Sequence, residues 1–311
     1  VAASQLTYDG TSRTAKAGDI TLHYHEAAPA GGGETSLGGG LPLVMLHGGG
    51  PGASSWSNFG ACLPRFAADF RVLCVDMPGF GGSDKPAVEG HYFTFAARKL
   101  AALLDELGLG RVHLLGNSLG GGTATRFALD QPDRVGRLVL MGPGGLAQNL
   151  FSTDPTEGVK RLYEFGGDPG PERMRAFIKT MVFDASLVTE ELVAERLESA
   201  LQPGRREAMA SMGASFFAPD TAEEGMLWRE AHRLRHHTLL TWGREDRVNP
   251  LDGAFLALKL IPRAQLHVFP RCGHWAQIEA AEAFHAVTRE FLSQHRERTP
   301  ADAIPERTET P

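Results

Sequence analysis

Val112-His113-Leu114-Leu115-Gly116-Asn117-Ser118-Leu119-Gly120-Gly121-Gly122 reads as a short buried strand that breaks at a sharp turn and restarts as a helix, with Ser118 at the bend. The G-x-S-x-G spacing has a steric reason, because glycines flanking a residue held in a strained turn let neighbouring backbone pass without Cβ clashes. Ser118 is therefore expected to project into open space. Alone, the pattern also suits a plain Gly-rich connector, so its surroundings decide.

On the N-terminal side, Leu41 to Leu46 and Val72 to Val75 are continuous apolar runs, the signature of strands covered on both faces. Each ends in a glycine-bearing turn, His47-Gly48-Gly49-Gly50-Pro51-Gly52 and Asp76 to Asp84. Ile20 to Glu26 partly alternates, which predicts an edge strand, and the Gly-rich run Ala30 to Gly40 predicts a mobile loop. Ala96, Leu100, Leu103, Leu104 and Leu107 mark one helix face, stopped by Gly108. On the C-terminal side comes another apolar run, Leu138 to Met141, and then strands give way to helical patterns from Leu146 to about His232. Strands resume at Thr238 to Trp242 and Gln265 to Phe269, and a helix over Ala281 to Leu292 closes the unit. The expected organisation is a core of residues 1–145 and 233–293, an inserted helical lid over 146–232, and a frayed polar tail over 294–311. Alternating strands and helices argue for an α/β fold with a mostly parallel sheet and helices on both faces. Ligands of such sheets sit beyond the carboxyl ends of the strands.

The 311 residues, 42% of them hydrophobic, suffice for one large core plus an insert without disulfides or metal. With 31 basic against 37 acidic residues and no Lys/Arg block, nucleic acid is not an expected partner. Cys62, Cys74 and Cys272 are an odd, widely spaced trio, which suits a reducing compartment and structural thiols. No run has the length of a membrane span, and Val1 to Gly10 lacks a basic-then-apolar leader, so a cytoplasmic protein away from membranes is expected.

A serine hydroxyl needs a base to remove its proton, and a histidine base works best when an acid fixes its tautomer. Trp242-Gly243-Arg244-Glu245-Asp246-Arg247-Val248 follows one expected strand and Cys272-Gly273-His274-Trp275 the next. Singly, Asp246 reads as a turn-capping acid and His274 as a structural histidine. Together with Ser118, in the order Ser118, Asp246, His274 and each at a strand end, they read as the triad of an α/β-hydrolase fold. Glu245 competes for the acid role. Oxyanion donors are available from the N–H groups of Leu119 and Gly49. Arg196 falls on the apolar arc of an expected helix, among Leu192, Val193, Leu197 and Ala200, where a guanidinium is costly without an anion. It could be satisfied by a bound carboxylate, by an internal acid, or by snorkelling.

His47 to Ala53, Trp56-Ser57-Asn58, Gly116 to Gly121, Gly243 to Arg247 and Cys272-Gly273-His274-Trp275-Ala276-Gln277 together resemble the meta-cleavage product hydrolases. These are carbon-carbon bond hydrolases of the α/β-hydrolase superfamily, and the resemblance runs from about Ile20 to Leu292. It favours Asp246 over Glu245. It implies a small-molecule substrate of the 2-hydroxy-6-oxohexa-2,4-dienoate type, and a binding region that includes Gly48, Asn58, Asn117, Arg196 and Trp275. It also implies a homo-oligomer. No metal or organic cofactor is implied. Met141 to Leu146 and Asp154 to Leu162 look most like the steroid-degradation branch, the diseco-steroid hydrolases. Phe177, Met181, Phe183, Met209, Met212, Phe216 and Phe217 in the expected lid add to that expectation if they line a large pocket. Most of them read as ordinary packing of lid helices on the core.

The reaction so implied has two stages: conversion of the dienol to its keto tautomer, with His274 shuttling the proton, then attack by Ser118 or by activated water on the C6 carbonyl. The alternatives are a biphenyl-type dienoate hydrolase, a carboxylesterase, and a ligand receptor that keeps the triad. An aspartate-nucleophile dehalogenase or epoxide hydrolase is excluded by the serine at position 118.

Overall fold

A computed structural model describes residues 6–29, 37–147 and 155–294. Residues 30–36 of the Gly-rich run, Asp154 and the tail from 295 lie outside the described residues.

The chain opens with a one-turn helix α1 (Tyr8–Thr11) and an antiparallel pair, β1 (Ser12–Ala17) and β2 (Ile20–Ala27). Next come β3 (Leu43–Leu46), the short helices α2 (Ser55–Phe59) and α3 (Leu63–Ala67), β4 (Val72–Val75), and the long α4 (Tyr92–Glu106). The central unit is β5 (Val112–Asn117), α5 (Leu119–Asp130) and β6 (Val135–Met141). Four helices then follow: α6 (Glu157–Gly167), α7 (Pro171–Met181), α8 (Glu190–Ala200) and α9 (Arg205–Ser215). The chain closes with β7 (Thr238–Gly243), α10 (Asp252–Leu260), β8 (Ala264–Phe269), α11 (Ala276–Glu279) and α12 (Ala281–Ser293). The helix expected at Ala96 to Leu107 is α4, and Gly108 does stop it, with φ of +65°.

The eight strands form one sheet in the order β1-β2-β4-β3-β5-β6-β7-β8, parallel from β4 onward. Ile20 to Glu26 is not an edge strand as the alternation predicted. It pairs with β1 on one side and with β4 on the other, and it is buried along most of its length. Successive side chains of the inner strands serve opposite faces. Val44 and Leu46 of β3 pack with α4 and α5, while Leu43 and Met45 pack with α3 and α12. This two-sided burial explains the unbroken apolar runs. Losing a leucine side chain at such a site costs ~2–5 kcal/mol.

Strand order reverses at β3, which lies between β4 and β5, so the chain leaves β3 one way and β5 the other. The turns after β3 and β5 thus bound a crevice at the carboxyl end of the sheet. The register pairs Leu46 with Gly116 and brings the two turns side by side.

The segment between β6 and β7 is helical where described, as expected. It has its own small core of Phe165, Met174, Phe177, Ile178, Met181 and Val193, to which the core-domain residue Trp275 contributes. The seven apolar side chains weighed as cavity lining against ordinary packing divide among solvent, the main core and the insert. Phe183 is 42% and Phe217 67% exposed. Met209, Met212 and Phe216 pack on the main core, Phe216 against His91 and Phe93. Only Phe177 and Met181 are buried in the insert itself.

Candidate active site

Ser118 follows β5 and caps α5 with φ of 51° and ψ of −111°, the left-handed half of the map that non-glycine residues avoid. Three main-chain bonds hold it there: its N–H donates to Met141 O at 2.9 Å and its carbonyl accepts from Gly144 N at 2.9 Å and from Gly122 N at 3.0 Å. The flanking glycines are steric necessities. A Cβ on Gly116 would lie 2.4 Å from Gly120 O, and one on Gly120 would lie 2.1 Å from Leu46 O. Gly121 and Gly122 are equally confined, by Pro143 and by the Phe93 ring. Leu119 is the first residue of α5, so its N–H has no intrahelical acceptor and points outward with the positive end of the helix.

The His47 to Gly52 turn packs directly on this elbow. A Cβ on Gly48 would meet Asn117 Oδ1 at 2.8 Å, and one on Gly49 would meet Leu119 Cδ2 at 2.6 Å. The turn is pinned by His47, which is fully buried. Nδ1 of that ring donates to Gly48 O at 2.8 Å and Nε2 accepts from Met77 N at 3.0 Å. That pairing assigns a neutral ring, and burial holds its pKa below the ordinary histidine value. Asn58 Oδ1 accepts from Gly48 N at 3.2 Å, and Asn117 Nδ2 donates to Met141 O at 3.3 Å, leaving Asn117 Oδ1 buried without a partner. Both asparagines therefore hold the two turns, and Asn117 still has one unused acceptor.

His274 and Asp246 meet at the ends of β8 and β7. His274 Nδ1 donates to Asp246 Oδ2 at 2.7 Å, and both side chains are almost wholly buried. Asp246 Oδ1 accepts from the N–H groups of Val248 and Asn249 at 2.8 and 2.9 Å. A carboxylate only accepts, so the imidazole proton sits on Nδ1. Nε2 is left as a buried lone pair with no partner. A Cβ on Gly142 would be 3.2 Å from the His274 ring, so the same β6 turn that holds Ser118 touches the imidazole. Glu245 is occupied elsewhere: it accepts from Cys272 N at 2.9 Å and pairs with Arg244.

Arg196 lies in α8 and is only 3% exposed. Nη1 donates to Ser57 Oγ at 3.1 Å, and the guanidinium stacks on Trp275 with Cζ 5.4 Å from the ring centre. Nε is buried without a partner, and among the described residues no carboxylate pairs with this cation. Burial pulls its pKa down to about 10, which still leaves it charged at neutral pH. The snorkelling and internal-acid alternatives are thus both absent from the described structure. α8 is pressed against the β3 turn: Gly52, with φ of +67°, has no room for a Cβ, which would fall 2.2 Å from Arg196 O.

A second hydrogen-bonded Ser-His-Asp chain escaped the sequence reading. Ser12 Oγ meets His23 Nε2 at 2.8 Å and His23 Nδ1 meets Asp76 Oδ2 at 2.7 Å. It lacks the other parts of a nucleophile site. Ser12 has ordinary extended dihedrals, φ −63° and ψ 130°, and caps the C-terminus of α1, giving its own N–H to Tyr8 O. An oxyanion there would face helix carbonyls. Asp76 instead ties down the turn after β4, accepting from Ser55 N at 2.6 Å and Gly82 N at 2.8 Å. Burial alone would raise its pKa, but the hydrogen bonds from His23 and from Ser55 hold it far below the usual carboxylate range. Only spatial pairing of β2 with the β4 turn reveals this chain, and no local motif announces it.

Among the described residues no group of three or more His, Cys, Asp or Glu side chains could hold a metal ion, and no helix is long and apolar enough to cross a membrane.

Residues 42–281 match the family model of the alpha/beta hydrolase fold. The 2-hydroxy-6-oxononadienedioate/2-hydroxy-6-oxononatrienedioate hydrolase of Burkholderia vietnamiensis is 42% identical over 278 residues, covering 88% of this chain and 91% of that protein. The 2-hydroxy-6-oxo-6-phenylhexa-2,4-dienoate hydrolase of Comamonas testosteroni is 39% identical over 300 residues, covering 94% and 99%. Among solved structures, the meta-cleavage product hydrolase of Pseudomonas fluorescens superposes with a TM-score of 0.78 at 34% identity, covering 90% of this chain and 96% of that one.

Proposed function

The chain belongs to the meta-cleavage product hydrolases of the α/β-hydrolase superfamily, and from that premise we propose that it hydrolyses the C5–C6 bond of a 2-hydroxy-6-oxohexa-2,4-dienoate. The observation that carries this reading is Arg196, a charged, buried guanidinium with an unpartnered Nε and no acid beside it. A cation left so is costly unless a ligand supplies the anion, and a substrate carboxylate does so with two charge-assisted hydrogen bonds. Asn117 Oδ1, the other unused buried group, suits the proton of a 2-hydroxyl.

Breaking a carbon-carbon bond hydrolytically requires the leaving carbon to depart with its electron pair. Arg196 holds the carboxylate while the dienol loses its hydroxyl proton and gains one at C5, with His274 Nε2 as the shuttle. Ser118 then gives its proton to Nε2 and adds to the C6 carbonyl. The N–H groups of Leu119 and Gly49 receive the oxyanion. Collapse expels C5 with the bonding pair, delocalised into the keto acid as a dienolate that takes a proton from His274. Water, deprotonated by His274, releases the acyl group as a carboxylic acid. Asp246 keeps the imidazole in the tautomer this needs. Residues 146–232 act as the lid that excludes bulk water.

For the acyl group we rank an aryl or short-chain substituent above the two-ring seco-steroid. The dienoates for which the relatives are named support this. The steroid expectation also drew on seven apolar side chains of the insert, and five of them are solvent-exposed or face the main core. Comparing kcat/KM for methyl, phenyl and bicyclic dienoates, beside a neutral nitrophenyl ester, tests both levels. A bicyclic preference would restore the steroid reading. Turnover of the ester without the dienoates would leave a carboxylesterase.

A further inference from the structure

Ser57 carries an unusual load for a serine on a one-and-a-half-turn helix. Its hydroxyl donates to Ser54 O at 3.1 Å and accepts from Ser54 N at 3.0 Å and from Arg196 Nη1 at 3.1 Å. A hydroxyl has one proton and two lone pairs, and here all three are assigned. With the proton committed to Ser54 O, the oxygen can only accept from Arg196.

We propose that Ser57 is a positioning residue for Arg196: by engaging Nη1 it presents the Nε–Nη2 edge of the guanidinium to the substrate carboxylate. This rests on the reading of Arg196 as the carboxylate anchor. The remaining contacts agree with it. Trp275 covers a face of the guanidinium, so the in-plane edges are what a ligand can reach. Nη1 is taken by Ser57, Nε is buried with no partner, and Nη2 lies 3.3 Å from where a Gly50 side chain would begin. Nε–H and Nη2–H are parallel, which is the geometry of a side-on bidentate carboxylate. A side chain at position 50 would first strike the Phe177 ring, 2.8 Å away, so glycine there spares both that ring and Nη2. Free of Ser57, the guanidinium could rotate about its last bonds, and the two donors would no longer be held in register.

Ser57 is also N3 of a capping box with Ser54 at the start of α2, so a purely structural role must be separated. The control is Ser54→Ala, which removes the other half of the cap and leaves the Ser57 hydroxyl. Full-length protein is titrated calorimetrically with benzoate, a carboxylate probe that needs no turnover, and steady-state kinetics are run with the phenyl dienoate. Ser57→Ala is expected to weaken benzoate about tenfold and to raise KM by a similar factor with kcat within about threefold. Ser57→Thr, which keeps the hydroxyl, restores both, and Ser54→Ala lowers Tm without moving either. Wild-type protein that fails to bind benzoate, a Ser57→Ala variant that binds it normally, or a Ser54→Ala variant equally weakened overturns the inference. If the benzoate pattern holds and no dienoate is turned over, the positioning role stands and the proposed reaction falls.

Discussion

The main-chain N–H of His274 donates to the carbonyl of Met181 at 2.8 Å, so the imidazole of the candidate site is hung from the last residue of α7 as well as from the sheet. Arg247 braces the same helix end through the carbonyls of Lys179 and Val182 and pairs with Glu157 of α6. Arg247→Ala is therefore expected to lower kcat about three- to tenfold for dienoate and ester alike, since a small displacement of the base affects every substrate. Steady-state kinetics on both substrates check this. A loss confined to KM would mean that Arg247 shapes the pocket instead.

Asp246→Asn is expected to leave the fold intact and reduce kcat by about 10³–10⁴-fold, because an amide can donate to Nδ1 and select the wrong tautomer. Glu245→Gln gives the contrast. It weakens the bond to Cys272 N and the pair with Arg244, so it should lower Tm by a few degrees and cost less than about tenfold in rate. If Glu245→Gln is the more damaging to chemistry, the acid role passes to it.

The strained dihedrals of Ser118 predict a stability ranking among inactive variants. Ser118→Ala keeps the Cβ and its strain. Ser118→Gly relieves it, and after the extra unfolded-state entropy of glycine it should be more stable than Ser118→Ala by about 1 kcal/mol. Urea midpoints at constant m-value measure this, and the reverse order would mean that the elbow is unstrained.

Arg196→Gln removes the charge that a carboxylate needs and little that a neutral ester needs. A loss of ~2–4 kcal/mol in kcat/KM on the dienoate, roughly 30- to 1,000-fold, is expected beside a change under about threefold on the ester. Equal losses would show that the substitution only disturbs α8.

Acid sensitivity should trace in part to His25. Its Nδ1 bonds Thr11 Oγ1 at 2.9 Å, while Nε2 is buried without a partner, so a second proton would be unsolvated. Burial and then neighbouring His23 pull its pKa from 6.5 to about 4. The unfolded imidazole takes up a proton before the folded one does, so stability is full above about pH 6.5 and falls as pH drops toward 4. Urea unfolding at pH 7 and pH 4.5 should show His25→Gln losing on the order of 2 kcal/mol less than wild type over that interval.

What could be read from the sequence was what lies along the chain. Ser118, Asp246 and His274 each follow an apolar run, and Arg196 stands out because a 3.6-residue period places it among leucines and a valine. What could not be read depends on pairing between distant segments. The alternation in Ile20 to Glu26 carries no trace of β1, which comes from a polar stretch, Ser12 to Ala17, and covers that strand's free side. Hydrophobicity alone could not tell that Phe183 and Phe217 face solvent while Phe216 packs on His91. The bond from His274 to Met181 is between main-chain atoms, so no side-chain identity encodes it.

The glycines that open α5 also set where this protein can be improved by laboratory evolution. Replacing a helical glycine with alanine ordinarily stabilises by ~0.5–1 kcal/mol. At Gly120, Gly121 and Gly122 that route is closed, because any added carbon strikes Leu46 O, Pro143 or Phe93. Gly213, inside α9, would place its new methyl in open space. Thermostabilising substitutions should therefore accumulate on the insert helices, while the helix that Ser118 caps stays locked to its present alphabet of one.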